Sequence, residues 1–326
     1  MLKKSKVGLV VGLWALYFVV GCASVSERFE QRKQKIDSPQ SEPSKDSEVH
    51  VITSEESVGD TWLKQPQPQE PLAPPKVGLI LGPGGVKAFA HTGVIKELVK
   101  AKIPIDSIIG IEWGALPAAL YAENGKVHGA EWKLYKLEQK DLAKRGFFTK
   151  KLEANSINTL SEFFEKNLEK SDIGSMQVDF ACPSLSIYSG TLSWQQRGSV
   201  MEALKKCMPY PPLFQPNDHW VAGAFSVDEA ISRMKAAKIE VIVFVNVLSD
   251  GEPLKQDELK NSYVSAVVWQ ELIRHLKKSA SAASYVVNVN TRNYKLLDFG
   301  SARSIFSAGE QAGEKAAREL AKKYGF

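Results

Sequence analysis

Apolar residues in this chain fall into short continuous runs separated by longer stretches of helical spacing. Residues 77–81, 107–111, 185–188, 241–247 and 285–289 read as strands rich in Val, Ile and Leu. Between and after them, residues 86–100, 115–123, 198–207, 227–237, 263–278 and 304–323 repeat apolar positions at intervals of three and four, which makes one apolar helix face each. Strands apolar on both faces, alternating with helices, predict an α/β fold with a mainly parallel central sheet covered on both sides. From 126 to 175 no strand signal appears, and Lys and Glu mix with Trp132, Tyr135, Phe147, Phe148, Phe163 and Phe164. Eight Lys/Arg face three Asp/Glu between residues 126 and 151. Two readings stand for this segment: plain surface helices, or a helical lid or membrane-facing insertion.

The first 75 residues follow neither period. Lys3, Lys4 and Lys6 precede an apolar run from Val7 to Val20, too short for a comfortable membrane span and suited to a signal peptide. The run ends in Val19-Val20-Gly21-Cys22, which is similar to a bacterial lipobox and makes Cys22 the expected lipidation site and membrane anchor. Residues 22–75 are rich in Ser, Pro, Gln and Glu and read as a disordered tether, about 40 Å in root-mean-square reach. Residues 49–58 are the one local exception, with the pattern of a short strand or helix. The domain expectation is therefore 1–21 signal peptide, 22–75 tether, 76–326 folded domain. Ala23 after the cysteine resembles outer-membrane rather than inner-membrane sorting. Export would permit a bridge between Cys182 and Cys207, but spacing cannot test one, and free buried thiols are the expectation.

Composition narrows the function classes. An apolar share of 44%, a charged share of 24% and a net charge of +5 describe an ordinary globular chain. No basic block interleaved with aromatics suggests nucleic-acid binding. The five histidines (His50, His91, His128, His219, His275) lack metal-ligand spacing, and no cofactor motif is complete. Gly82-Pro-Gly-Gly-Val-Lys87 follows the first strand, but Lys87 stands where a dinucleotide fingerprint needs its third glycine. What remains is a run of backbone N–H groups suited to an anion, the form an oxyanion hole takes.

The second strand leads into Gly110-Ile111-Glu112-Trp113-Gly114. Strand, sharp turn and helix start are the setting of the G-x-S-x-G nucleophile elbow, with both glycines kept and glutamate in place of serine. Residues 81–94 (LGPGGVKAFAHTGV) and 105–121 (IDSIIGIEWGALPAALY) together resemble the patatin-like phospholipase family, as does Cys207-Met-Pro-Tyr-Pro-Pro-Leu-Phe-Gln-Pro216. The resemblance covers most of 76–326 and implies a three-layer patatin-like fold. It also implies an oxyanion loop at Gly84, Gly85 and Lys87 and a catalytic Ser–Asp dyad. The dyad positions here hold Glu112 and, in the stretch matching the family's D-G-A, Ala222.

Serine chemistry needs a nucleophile and a base, and both are replaced. The expectation is a pseudoenzyme at the cell envelope that binds a lipid or fatty-acyl group, an envelope protein or a second copy of itself. The alternative is an active lipid acyl hydrolase with a non-standard apparatus. A glutamate at the elbow is long enough to reach the N–H groups of Gly84 and Gly85 and occupy the hole; pairing with Lys87 is the plainer possibility. The helix N-terminus would stabilise the Glu112 carboxylate and lower its basicity. Trp113 would narrow a ligand crevice or pack in the core. His91 suits packing and hydrogen bonding. Ser107, Ser186 and Ser226 carry no sign of a base, and a shifted dyad using Asp228 is a minor alternative.

Overall fold

The computed structural model describes residues 74–138, 141, 155–168, 171–248 and 263–326. The signal, the tether up to residue 73, Cys22, the 49–58 segment, Phe147 and Phe148 lie outside them. Residues Gln69–Phe326 form one compact unit.

Seven strands make one sheet: β1 (Val77–Leu81), β2 (Ser107–Gly110), β3 (Asp179–Ser186), β4 (Leu192–Gln195), β5 (Trp220–Ala222), β6 (Val241–Asn246) and β7 (Tyr285–Asn288). The order is β4-β3-β2-β1-β6-β7, parallel from β3 to β7, with β4 and β5 both antiparallel to β3. β1 lies centrally, with Leu79 opposite Ile108 on one side and Val243 on the other.

The strand period of two feeds two cores. Val77, Leu79, Leu81, Ile108, Val243 and Val245 enter one cluster, while Ile80, Ile109, Ile242 and Phe244 enter the other. Four helices supply much of the first: α1 (Ala90–Lys100), α2 (Ala115–Ala122), α5 (Val200–Cys207) and the long α8 (Ala302–Tyr324). α6 (Val227–Ala236) and α7 (Tyr263–Ser279) supply the second. The three-layer α/β expectation holds.

Two short helices, α3 (Val127–Tyr135) and α4 (Ser161–Leu168), occupy the segment without strands. Phe163 and Phe164 are buried in the first core, and Tyr135 packs on Phe306, so these aromatics serve the interior. Trp132 does not, being 64% exposed.

Differences from the sequence reading gather around β3. It starts at Asp179, six residues before the expected run, because Pro183 reads as a breaker. Here Pro183 sits opposite Trp194 in an antiparallel pair. β4 and β5 carry no continuous apolar run and draw their order from β3. Cys182 on β3 and Cys207 at the end of α5 are bridged, with Cα atoms 6.0 Å apart. This corrects the expectation of free thiols: the sheet-to-helix packing brings together two side chains that are each 0% exposed.

Candidate functional site

The elbow is built by close backbone approach. Ile111 leaves β2 extended and donates its N–H to Leu81 O at 2.9 Å. Glu112 then turns into the left-handed region at φ 54°, and a single 3-10 turn (Glu112–Gly114) leads into α2. For a side-chain-bearing residue that conformation costs about 1–2 kcal/mol. The flanking glycines are required by space. A Cβ on Gly110 would lie 2.3 Å from Ala115 Cα, and one on Gly114 would lie 2.4 Å from Leu81 O. The turn is thereby pressed onto the end of β1, and residue 112 projects above the sheet.

Facing it is the turn after β1. Gly84 and Gly85 direct their N–H groups at the same atom, Glu112 Oε2, at 2.8 and 3.0 Å. Gly85 has φ 56°, and a Cβ there would lie 2.3 Å from Leu296 O. Gly82 N–H donates to Val245 O, and Val86 N–H donates to Leu296 O, which fix the two ends of the turn. His91, fully buried, is held near pKa 4 by desolvation and is neutral. Its Nε2–H donates to Gly82 O at 2.8 Å, the packing and hydrogen-bonding role expected of it.

The Glu112 carboxylate therefore sits where two converging N–H groups would meet the oxyanion of an attacked ester. It is 0% exposed. Burial pushes its pKa up to about 7, against the N–H groups of Gly84, Trp113 and Gly85, which pull it down. This reverses the direction expected from the helix N-terminus, because loss of water around the carboxylate outweighs the backbone donors. The Tyr210 hydroxyl, also buried, is raised by desolvation and then by the Glu112 charge.

Trp113 lies in the core, 0% exposed, with ring centroids 5.5 Å from Phe214 and 6.0 Å from Phe299. Lys87 is 6% exposed in the 3-10 turn that precedes α1. Ala222 is opposite Ser184 in the β5–β3 pair, while β2 pairs with β3 only as far as Ala181. β4 occupies the other edge of β3, so β5 continues the line of β2 past the elbow. Ala222 shares a buried cluster with Ile111 and Tyr210, and its N–H donates to Pro209 O. The fold thus brings Gly84, Gly85, Glu112 and the neighbourhood of Ala222 together. Tyr210, Phe214 and Leu296 were missed as site neighbours, and only the segment 207–216 hinted at the first two. Asp228 is engaged elsewhere: its Oδ2 accepts from Ser279 Oγ at 2.7 Å, and Ser279 Oγ lies 3.3 Å from His275 Nε2. Among the described residues no cluster of three or more His, Cys, Asp or Glu could hold a metal.

A pH dependence follows with a definite sign. An unfolded-state carboxyl titrates near pH 4.3, whereas Glu112 in the fold titrates near 7. Between these values the folded chain keeps a proton that the unfolded chain has released. Stability therefore falls as pH rises across that window and levels off above it. The full loss is about 4 kcal/mol. Glu112→Gln keeps an acceptor for both glycine N–H groups and removes the charge. It should match the wild type near pH 4 and exceed it at pH 8, as urea unfolding at the two pH values would show. A wild type equally stable at both, relative to Glu112→Gln, would contradict the assignment.

Comparison with known proteins agrees with the geometry. Residues 79–231 match the family model "Patatin-like phospholipase". The lysophospholipase NTE1 of Coccidioides immitis (strain RS) is 29% identical over 187 residues, which is 54% of this chain and 12% of that protein. The lysophospholipase NTE1 of Kluyveromyces lactis is 23% identical over 284 residues, 76% of this chain and 19% of that one. The chain spans less than a fifth of the length of either relative. The crystal structure of VipD from Legionella pneumophila superposes with TM-score 0.44 at 11% identity, covering 77% of this chain and 67% of that one. With an oxyanion-type turn, a glycine-flanked elbow and the family match over the same residues, residues 79–231 of this chain form a patatin-like phospholipase domain.

Proposed function

We propose that this chain is an exported, lipid-anchored member of the family that does not hydrolyse lipids and acts by binding at the cell envelope. One observation carries the reading: Glu112 Oε2 accepts both N–H groups that an ester oxyanion would need. A second oxygen cannot enter while the carboxylate remains, and Ala222 offers no base. Trp113 and Phe214 fill the space beside the elbow, which favours a role for the outer surface over an acyl crevice. The Cys182–Cys207 bridge supports passage through an oxidising compartment, in line with the signal run and Cys22. The outer membrane is the proposed site of the anchor.

The competing reading is hydrolysis with Glu112 as general base for water. Two observations favour it: relatives are named lysophospholipases, and a carboxyl titrating near 7 lies in the range of working bases. The experiment is hydrolysis of lysophosphatidylcholine and of a short-chain ester by residues 69–326, beside Glu112→Ala. Turnover no greater than that of the variant is expected. Turnover that the variant loses would assign Glu112 the chemistry and refute the non-catalytic reading.

A further inference from the structure

α3 presents an outward face that the core does not explain. His128, Trp132 and Lys136 recur at intervals of four residues and form one stripe, the last being the residue that caps the helix. His128 and Lys136 are exposed, Trp132 is 64% exposed, and Lys126 precedes the helix in the same exposed state. The opposite side of α3, Val127, Ala130 and Leu134, is buried, so the helix is oriented by its own packing.

The charges on this face are sorted. Glu131 is turned towards Lys96 and His128, at 3.9 and 3.6 Å. Glu123 is held by Lys133 at 2.6 Å. Lys136 Nζ stands 4.7 Å over the Trp132 ring, which keeps an ammonium and an indole side by side at the surface. Glu138 and Asp141 follow only after the helix has ended. An exposed indole beside Lys136, with Lys126 at the start of the helix and Glu131 shared between Lys96 and His128, is complementary to an anionic interface that has an apolar layer beneath it. Tryptophan settles at headgroup depth while lysines meet the lipid phosphates.

We infer that the His128–Trp132–Lys136 face of α3, together with Lys126, docks on an anionic lipid surface. This deepens the envelope reading: Cys22 would hold the chain near the bilayer, and α3 would orient the domain upon it. A second exposed apolar group, Tyr263, Val264 and Val267 at the start of α7, has no cation among the residues of that first turn and is assigned no lipid contact.

The test uses residues 69–326, which form the compact unit, so that binding owes nothing to the acyl anchor. Cosedimentation would be measured with vesicles of phosphatidylcholine containing about a third phosphatidylglycerol, and with phosphatidylcholine alone. Binding to the anionic vesicles, weakened by salt, is expected. Lys126→Ala with Lys136→Ala should weaken it roughly 30-fold, and Trp132→Ala should weaken binding to both vesicle types. All three positions are exposed, and circular dichroism would verify that the variants fold. Tyr263→Ser with Val267→Ser should bind as the wild type does. Absence of vesicle binding, equal binding by the α3 variants, or loss confined to the α7 variant would each overturn the inference. Binding of RNA or a soluble protein through this face without vesicle binding would overturn it too. The anchor is tested separately, by fractionating cells that express the full chain with Cys22→Ala. Release of that variant and retention on vesicles of residues 69–326 are independent results.

Discussion

Gly309→Ala should destabilise the domain by about 2–4 kcal/mol, although alanine is the better helix former by about 1 kcal/mol. Gly309 lies in the first half of α8 where that helix crosses α1, and a Cβ there would stand 2.0 Å from Ala90 O. The obstacle is backbone, so no side chain can swing aside. The recess is mutual. A Cβ on Gly93 would meet Phe306 O at 2.4 Å, and one on Gly313 would meet Val94 Cα at 2.8 Å. Alanine at 309 would have to push α1 outward by roughly 1 Å or more, opening a core that is packed to solid density. α1 also carries His91, which holds Gly82 O, so the same shift would loosen the turn bearing the Gly84 and Gly85 donors. Gly129→Ala supplies the control. It lies in α3 with nothing within 4 Å of its would-be Cβ, and the substitution should stabilise by up to about 1 kcal/mol. Urea unfolding of the two variants would test the contrast. A Gly309→Ala protein as stable as the wild type would mean that the helices do not meet as described.

Paired replacement at the dyad positions should create what single replacement cannot. Glu112→Ser removes the carboxylate from the hole and puts a hydroxyl on the left-handed turn, but leaves it without a base. Ala222→Asp supplies a carboxylate at the end of β5 beside Tyr210 and Ile111, but leaves Glu112 in the hole and no nucleophile. Only the double variant frees Gly84 N–H and Gly85 N–H, presents the introduced hydroxyl at the elbow and offers an acceptor for its proton. Hydrolysis of an activated ester should exceed that of either single variant by at least about 100-fold, the usual contribution of a positioned base. Such an outcome would be strongly non-additive, as expected of groups that act as one unit. Activity in Glu112→Ser alone would show that the base comes from elsewhere and would refute the present account of position 222.

Much of this protein is decided by local sequence. The strand runs of β1, β2, β6 and β7, and the helix periods of α1, α2 and α5–α8, fall within a few residues of where the apolar pattern places them, because burial on two sheet faces and on one helix stripe leaves a short-range signature. The elbow is local as well: two glycines four residues apart allow the turn, and the identity of residue 112 states what chemistry is missing. What tertiary structure alone decided involves partners distant along the chain. The target of the Glu112 carboxylate lies 27 and 28 residues away, on another loop. The direction of its pKa shift depends on the water excluded by Tyr210, Phe214 and the rest of the core, whereas the local helix start argued the opposite. Cys182 and Cys207 meet only when β3 and α5 pack. β4 and β5 exist as strands only because β3 lends them its backbone. Gly93 and Gly309 read singly as helix-weakening residues, and their purpose appears only where two helices roughly 200 residues apart come into backbone contact.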